Sequence, residues 1–152
     1  MSIVKDMALA ESGRRKIDWV RAHMPALSQI EERFAREQPF RGLRIAVSVH
    51  LEAKTANLGC VLAKGGAEVH LTGSNPLSTQ DDVAAGLASL GVQTYGIYGV
   101  DAAGYEELLV ETLKCRPHLV IDDGGDLIDL LSGKCAEYAT ELMGGCEETT
   151  TG

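Results

Sequence analysis

The chain has 152 residues, a formal net charge of −8 and 45% hydrophobic composition. That length and apolar content suit one domain with a single core, and the acidic balance excludes a general nucleic-acid binder, which needs a basic face against phosphate. No apolar run is long enough to span a bilayer, and residues 1–6 are not followed by the apolar stretch of a secretory signal, so a cytoplasmic protein with no membrane partner is expected.

The first forty or so residues read as helical. Ala10, Gly13, Ile17, Val20 and Met24 alternate steps of three and four, the seam of an amphipathic helix. Arg14, Arg15 and Lys16 share that helix with Glu11 and Asp18 and read as a solvated face. Pro25 suits the first turn of a second helix, with Ile30 and Phe34 one turn apart, and residues 38–42 end the region. Residues 44–49 form a short β-branched run. Residues 52–64 have helical spacing through Thr55, Leu58 and Leu62, stopped by Gly65 and Gly66. Residues 67–72 read as a second strand and 73–77 as a loop. Ser78 with Asp81 reads as a variant capping box opening a helix through Val83, Leu87 and Leu90. Residues 92–98 are a third strand, 104–113 lie in a crossover helix, 118–121 are a fourth strand and 126–131 begin another helix. Strands alternating with helices give an α/β, Rossmann-like class: an open, mainly parallel sheet of about four or five strands, helices on both faces and a helical N-terminal segment.

Cys60, Cys115, Cys135 and Cys146 show no C-x-x-C spacing and no close histidine, so neither structural zinc nor a redox motif is expected. Cys60 and Cys135 fall in helix-like segments as small buried residues, and free thiols fit a reducing compartment.

In an open parallel sheet, ligands bind beyond the carboxyl ends of the strands. The first strand is followed by His50, Leu51, Glu52, Ala53 and Lys54, and the second by Asn75, Pro76, Leu77, Ser78, Thr79 and Gln80. The fourth is followed by Asp122, Asp123, Gly124, Gly125 and Asp126, and a short apolar stretch ending at Cys146 leads into Glu147, Glu148, Thr149, Thr150 and Thr151. Each segment alone has a plain explanation: a surface histidine, an Asp/Gly turn, an N-cap, a solvated tail. Their joint placement on one sheet edge points to a site. Because no two glycines are separated by one residue, G-x-G-x-x-G is absent; there is no P-loop, H-E-x-x-H or G-x-S-x-G either. His50-x-Glu52 lacks the P-C-x-x-C partner of the zinc deaminases. Asp122, Asp123 and Asp126 could hold magnesium, so a metal-dependent enzyme is one alternative.

Taken in order, Val49-His50-Leu51, Asn75-x-x-Ser78-Thr79-Gln80-Asp81, Asp122-Asp123-Gly124-Gly125-Asp126-Leu127 and Glu147-Glu148-Thr149-Thr150-Thr151-Gly152 resemble the signature blocks of the S-adenosylhomocysteine hydrolases, across nearly the whole chain. The resemblance implies the N-terminal part of a substrate-binding domain in an NAD-dependent enzyme acting on a nucleoside thioether. Such enzymes oxidise the ribose 3′-hydroxyl, eliminate homocysteine, add water at C5′ and reduce the sugar again. By resemblance, His50 and Asp123 would manage proton transfers, Glu148 would hold the ribose hydroxyls, Ser78 would line the pocket, and Thr149, Thr150 and Thr151 would contact substrate or NAD. The family is usually tetrameric, so the intact enzyme is expected to be a homo-oligomer.

Two departures matter. Glu52 and Lys54 stand where many members carry Thr and then Gln or Glu, positions that read the purine edge. Lysine only donates and an ionised glutamate only accepts, so Lys54 facing C6 and Glu52 facing N1 would match hypoxanthine and mismatch adenine. The implied substrate is then S-inosylhomocysteine beside, or in place of, S-adenosylhomocysteine. The lysine and aspartate that family catalysis uses after the last block, and the NAD-binding domain, are not in this chain, which alone is expected to be inactive. A free-standing, non-catalytic nucleoside- or small-ligand-binding domain is the other alternative, disfavoured by a sequence that stops at Gly152 without a closing element.

Overall fold

The computed structural model describes residues 1–150. Two helices, α1 (Ala10–Ala22) and α2 (Pro25–Glu37), precede most of the sheet. Ala10, Gly13, Ile17 and Val20 are the buried positions of α1, as their spacing requires, and Pro25 opens α2 where its missing N–H costs nothing. The rest alternates: β2 (Arg44–Ser48), α3 (Ala53–Lys64), β3 (Glu68–Thr72), α4 (Asp81–Ser89), β4 (Gln93–Gly96), α5 (Ala102–Leu113), β5 (Leu119–Asp122), α6 (Asp126–Ser132) and β6 (Gly144–Glu147).

With the short strand β1 (Ile3–Val4) at one edge, the sheet has six strands in the order β1-β4-β3-β2-β5-β6, every pairing parallel. That exceeds the expected four or five. The additions are the edges: β1 (Ile3–Val4), two residues long, and β6, which begins with Gly144 and Gly145. Neither carries a β-branched alternation, and both form because a neighbouring strand offers unpaired backbone groups.

Alternate strand residues serve the two faces. Ile45, Val47, Val69 and Leu71 join Ile17, Val20, Ala56, Val83 and Leu87 in one core, against α1, α3 and α4. Ala46 and Val120 join Leu109, Leu113, Leu127 and Leu131 in the other, against α5 and α6. Cys60 is buried in α3; Cys135 is buried too, but in the turn after α6 rather than in a helix. From β2 the chain winds outward through β3 to β4, then α5 carries it across the other face to β5. Winding therefore reverses between the adjacent strands β2 and β5, and their carboxyl ends flank a crevice there. Among the described residues no helix is long and apolar enough to cross a membrane.

Candidate functional site

His50 leaves β2 and Asp123 leaves β5, so the switch point brings them face to face. His50 Nε2 lies 3.7 Å from Asp123 Oδ2; the histidine side chain is 53% exposed and the aspartate 9%. On its other side His50 Nδ1 is 2.6 Å from Ser78 Oγ, in the loop after β3. Ser78 does not cap α4. The cap residue is Gln80, which contributes no side-chain bond, and the Asp81 carboxylate accepts from Tyr98 N–H at 2.7 Å instead of reaching back. Ser78 precedes the cap by two positions, and its hydroxyl is taken by His50 and Asn75 O.

The Asp-Asp-Gly-Gly-Asp segment is a tight strand-to-helix turn. Gly124 and Gly125 have φ of 97° and 83°, values open to glycine at little cost. Asp122, 1% exposed, turns inward, where its Oδ2 accepts from Leu127 N and Ile128 N at 2.9 and 3.1 Å and closes the first turn of α6. Asp126 accepts from Tyr105 Oη at 2.7 Å, and Asp123 accepts from Ser74 Oγ at 2.9 Å. The three aspartates thus serve three different partners. Among the described residues no group of three or more His, Cys, Asp or Glu is placed to hold a metal ion.

Burial pushes the Asp122 carboxyl above the ordinary value of 3.8, with the Glu147 charge adding to it, although backbone N–H donors pull the other way. Above 3.8 the unfolded chain gives up this proton before the folded one does, so the native state binds more protons. Asp122 therefore contributes stability that falls as pH rises through that window. We expect Asp122→Asn to flatten this component, with its unfolding midpoint relative to wild type rising as pH is raised from about 4. A constant difference across pH would show that the carboxylate's proton is not linked to folding.

The remaining sequence-expected residues lie along the same edge. Glu148 follows β6, its N–H donating to Asp122 O at 2.9 Å and its side chain exposed. Thr149 is half-buried, with its N–H on Glu147 Oε1 at 3.2 Å, and Thr150 is exposed; Thr151 lies outside the described residues. Glu52 is the N-cap of α3: its Oε1 accepts from Lys54 N and Thr55 N at 3.0 and 3.1 Å, as an acid at the positive end of a helix should. Lys54 is exposed. The structure thus joins His50, Ser78 and Asp123 directly and sets the others around them.

Three residues stand out that the sequence did not single out as site residues. Ser74 bonds Asp123; Tyr105 Oη reaches both Ser74 O, at 2.9 Å, and Asp126; Glu147 Oε1 accepts from Gly124 N at 2.7 Å. Burial, and then the hydrogen bond to Asp126, push the Tyr105 phenol well above its ordinary range and keep it a donor. Ser74 sits in a loop already read as a turn, and Tyr105 has the sequence look of a core aromatic.

His50 meets solvent on the open side of the crevice while Asp123 lies beneath it; a cavity of about 410 Å³ lies elsewhere, at the amino ends of β3 and β4. Comparison with known proteins matches residues 1–151 to the family described as S-adenosyl-L-homocysteine hydrolase. The chain is 52% identical to an S-inosyl-L-homocysteine hydrolase of Methanocaldococcus jannaschii, over 98% of this chain and 36% of that protein. It is 50% identical to a protein of the same name from Methanococcus maripaludis, over 100% of this chain and 37% of that protein. It is 48% identical to an adenosylhomocysteinase of Thermococcus kodakarensis, over 98% of this chain and 35% of that protein. The chain therefore spans a little over a third of these relatives' length. With a match that runs through every strand and helix described above, the chain belongs to the S-adenosyl-L-homocysteine hydrolase family.

Proposed function

We propose that the protein carrying this chain is a cytoplasmic, NAD-dependent homo-oligomeric hydrolase that cleaves a purine-nucleoside thioether of homocysteine, with S-inosyl-L-homocysteine preferred to S-adenosyl-L-homocysteine. The observation that carries the reading is the His50–Asp123 pair, 3.7 Å apart across the switch point of the sheet. An imidazole and a carboxylate at that separation can take a proton from a sugar carbon and deliver one to a leaving group, if the sugar sits above them. Ser78 holds the ring from behind, so Nε2 is the nitrogen presented to the crevice. Glu148, exposed one residue beyond β6, has an acceptor suited to ribose hydroxyls.

NAD, when bound, would supply reversible oxidation of the ribose. Most of its contacts would come from a domain outside this chain, and the exposed Thr150 beside Glu148 suits a hydrogen bond to the cofactor or the sugar. This chain would be the N-terminal part of the substrate-binding domain, and the 152 residues alone are expected to be inactive.

The purine preference is assigned mainly to Lys54. Glu52 has committed one oxygen to the α3 cap, leaving the other for N1–H of hypoxanthine, whereas Lys54 is exposed beside the crevice and can only donate. A 6-oxo group satisfies that ammonium and a 6-amino group does not, and polar mismatches of this kind discriminate strongly. Hydrolysis of the two thioethers by the whole protein tests the proposal. The inosyl compound should be cleaved with the higher kcat/KM, and Lys54→Gln should move the ratio toward the adenosyl compound by at least about tenfold. A wild-type preference for the adenosyl compound would overturn the purine assignment; cleavage of neither would overturn the function.

A further inference from the structure

The Asp123 side chain is nine-tenths buried, and among the described residues Ser74 and His50 are the polar side chains that meet it. Its Oδ2 accepts from Ser74 Oγ at 2.9 Å and faces His50 Nε2 at 3.7 Å. The neighbouring acids are turned elsewhere: Asp122 into the first turn of α6, Asp126 onto Tyr105, and Glu147 onto the N–H groups of Gly124 and Thr149. Among the described residues Ser74 is the side-chain donor that fixes which carboxylate oxygen looks at the imidazole.

Ser74 is itself fixed at both ends of its backbone. Its N–H donates to Val49 O at 3.2 Å, tying the loop after β3 to the end of β2. Its carbonyl lies 2.9 Å from Tyr105 Oη, whose single proton is shared with the carboxylate of Asp126, the first residue of α6. One phenol on α5 thus links the loop after β3 to the start of α6, and the Ser74 hydroxyl closes the triangle on Asp123.

We propose that Ser74, pinned by Val49 and Tyr105, is a positioning residue that holds the Asp123 carboxylate in register with His50 for proton transfer. It touches no reacting atom; it acts through Asp123. The proposal rests on the assignment of Asp123 to proton transfer given above. A carboxylate free to rotate about its last bond spends part of its time with no oxygen toward the ring, and the loss falls on the chemical step rather than on binding.

The test uses the whole protein, with steady-state hydrolysis, thermal midpoint and circular dichroism measured on each variant. Ser74→Ala should lower kcat about tenfold, the size expected for a lost hydrogen bond to a charged group, with KM changed by less than about twofold. Ser74→Thr keeps the hydroxyl and should recover most of the loss. In an Asp123→Asn background, Ser74→Ala should add less than about twofold, because the residue it acts through is already disabled. Equal effects of Ser74→Ala in both backgrounds, failure of threonine to restore kcat, or a loss confined to KM would overturn the positioning role alone. Unchanged kcat in Asp123→Asn would remove the assignment beneath it, and the proposal with it.

Discussion

Asp123→Asn in the whole protein should lower kcat by roughly a hundredfold to ten-thousandfold, the range supplied by a placed acid or base, while leaving the fold intact. The substitution is nearly isosteric. The amide oxygen can still accept from Ser74 Oγ, so the loop geometry has no reason to change. What is lost is the charge beside His50 Nε2 and the capacity to carry a proton away from it. Glu147→Gln is the matching control. Glu147 lies on the same sheet edge, opposite Asp122, and its Oε1 does structural work on Gly124 N and Thr149 N. A glutamine oxygen does the same work, so most activity should survive. If Asp123→Asn kept half or more of wild-type kcat with normal NAD content, the proton-transfer assignment of the His50–Asp123 pair would have to be abandoned.

The contrast between those two acids also marks how far the sequence could be read. Helix and strand order followed from periodicity because the inner strands are buried on both faces and the helices on one, which writes apolar residues at regular spacings. The edges escaped. Ile3 and Val4 are too few to show a period, and Gly144 and Gly145 offer no side chains to count. At the site, the strand-end rule located His50, Asp123 and Glu148, since chain position alone decides which loops share an edge. It could not say which way each side chain turns. Asp122 and Asp123 are adjacent and chemically identical, yet one closes a helix in the interior and the other faces an imidazole. The α6 backbone donors make that choice. Ser followed three residues later by an acid is a common cap pattern, yet the Ser78 hydroxyl lies two positions before the cap and is held by Asn75 O and by His50, twenty-eight residues away in sequence. Ser74 and Tyr105 carried no signal, since their importance comes from bridging loops that only the folded sheet brings together.

The largest stability effect is expected at Gly13. In α1 its hydrogen stands where a Cβ would lie 1.8 Å from Asp82 O and 2.5 Å from Asp82 C, the backbone of the first turn of α4. The approach is mutual: a Cβ on Gly86 would meet Arg14 N and Gly13 C at 2.7 Å. Neither obstacle is a side-chain end that could swing aside. Asp82 is further held to α1 by Ser12 Oγ at 2.8 Å and by Lys16 Nζ at 2.9 Å. Gly13→Ala must therefore push the helices apart, loosening Ile17, Val20, Val83 and Leu87 in the core they share. Overpacking costs about 1–3 kcal/mol, and a clash with backbone belongs at the upper end. Alanine's better helix propensity returns only about 1 kcal/mol. A net loss near 2 kcal/mol lowers the thermal midpoint by about 4–8 °C in a domain of this size. Gly144→Ala is the control, for its Cβ would meet nothing within 4 Å. If Gly13→Ala melts with wild type, α1 and α4 are not in backbone contact. If both alanines cost the same, loss of glycine matters in general and the close approach of these two helices does not explain it.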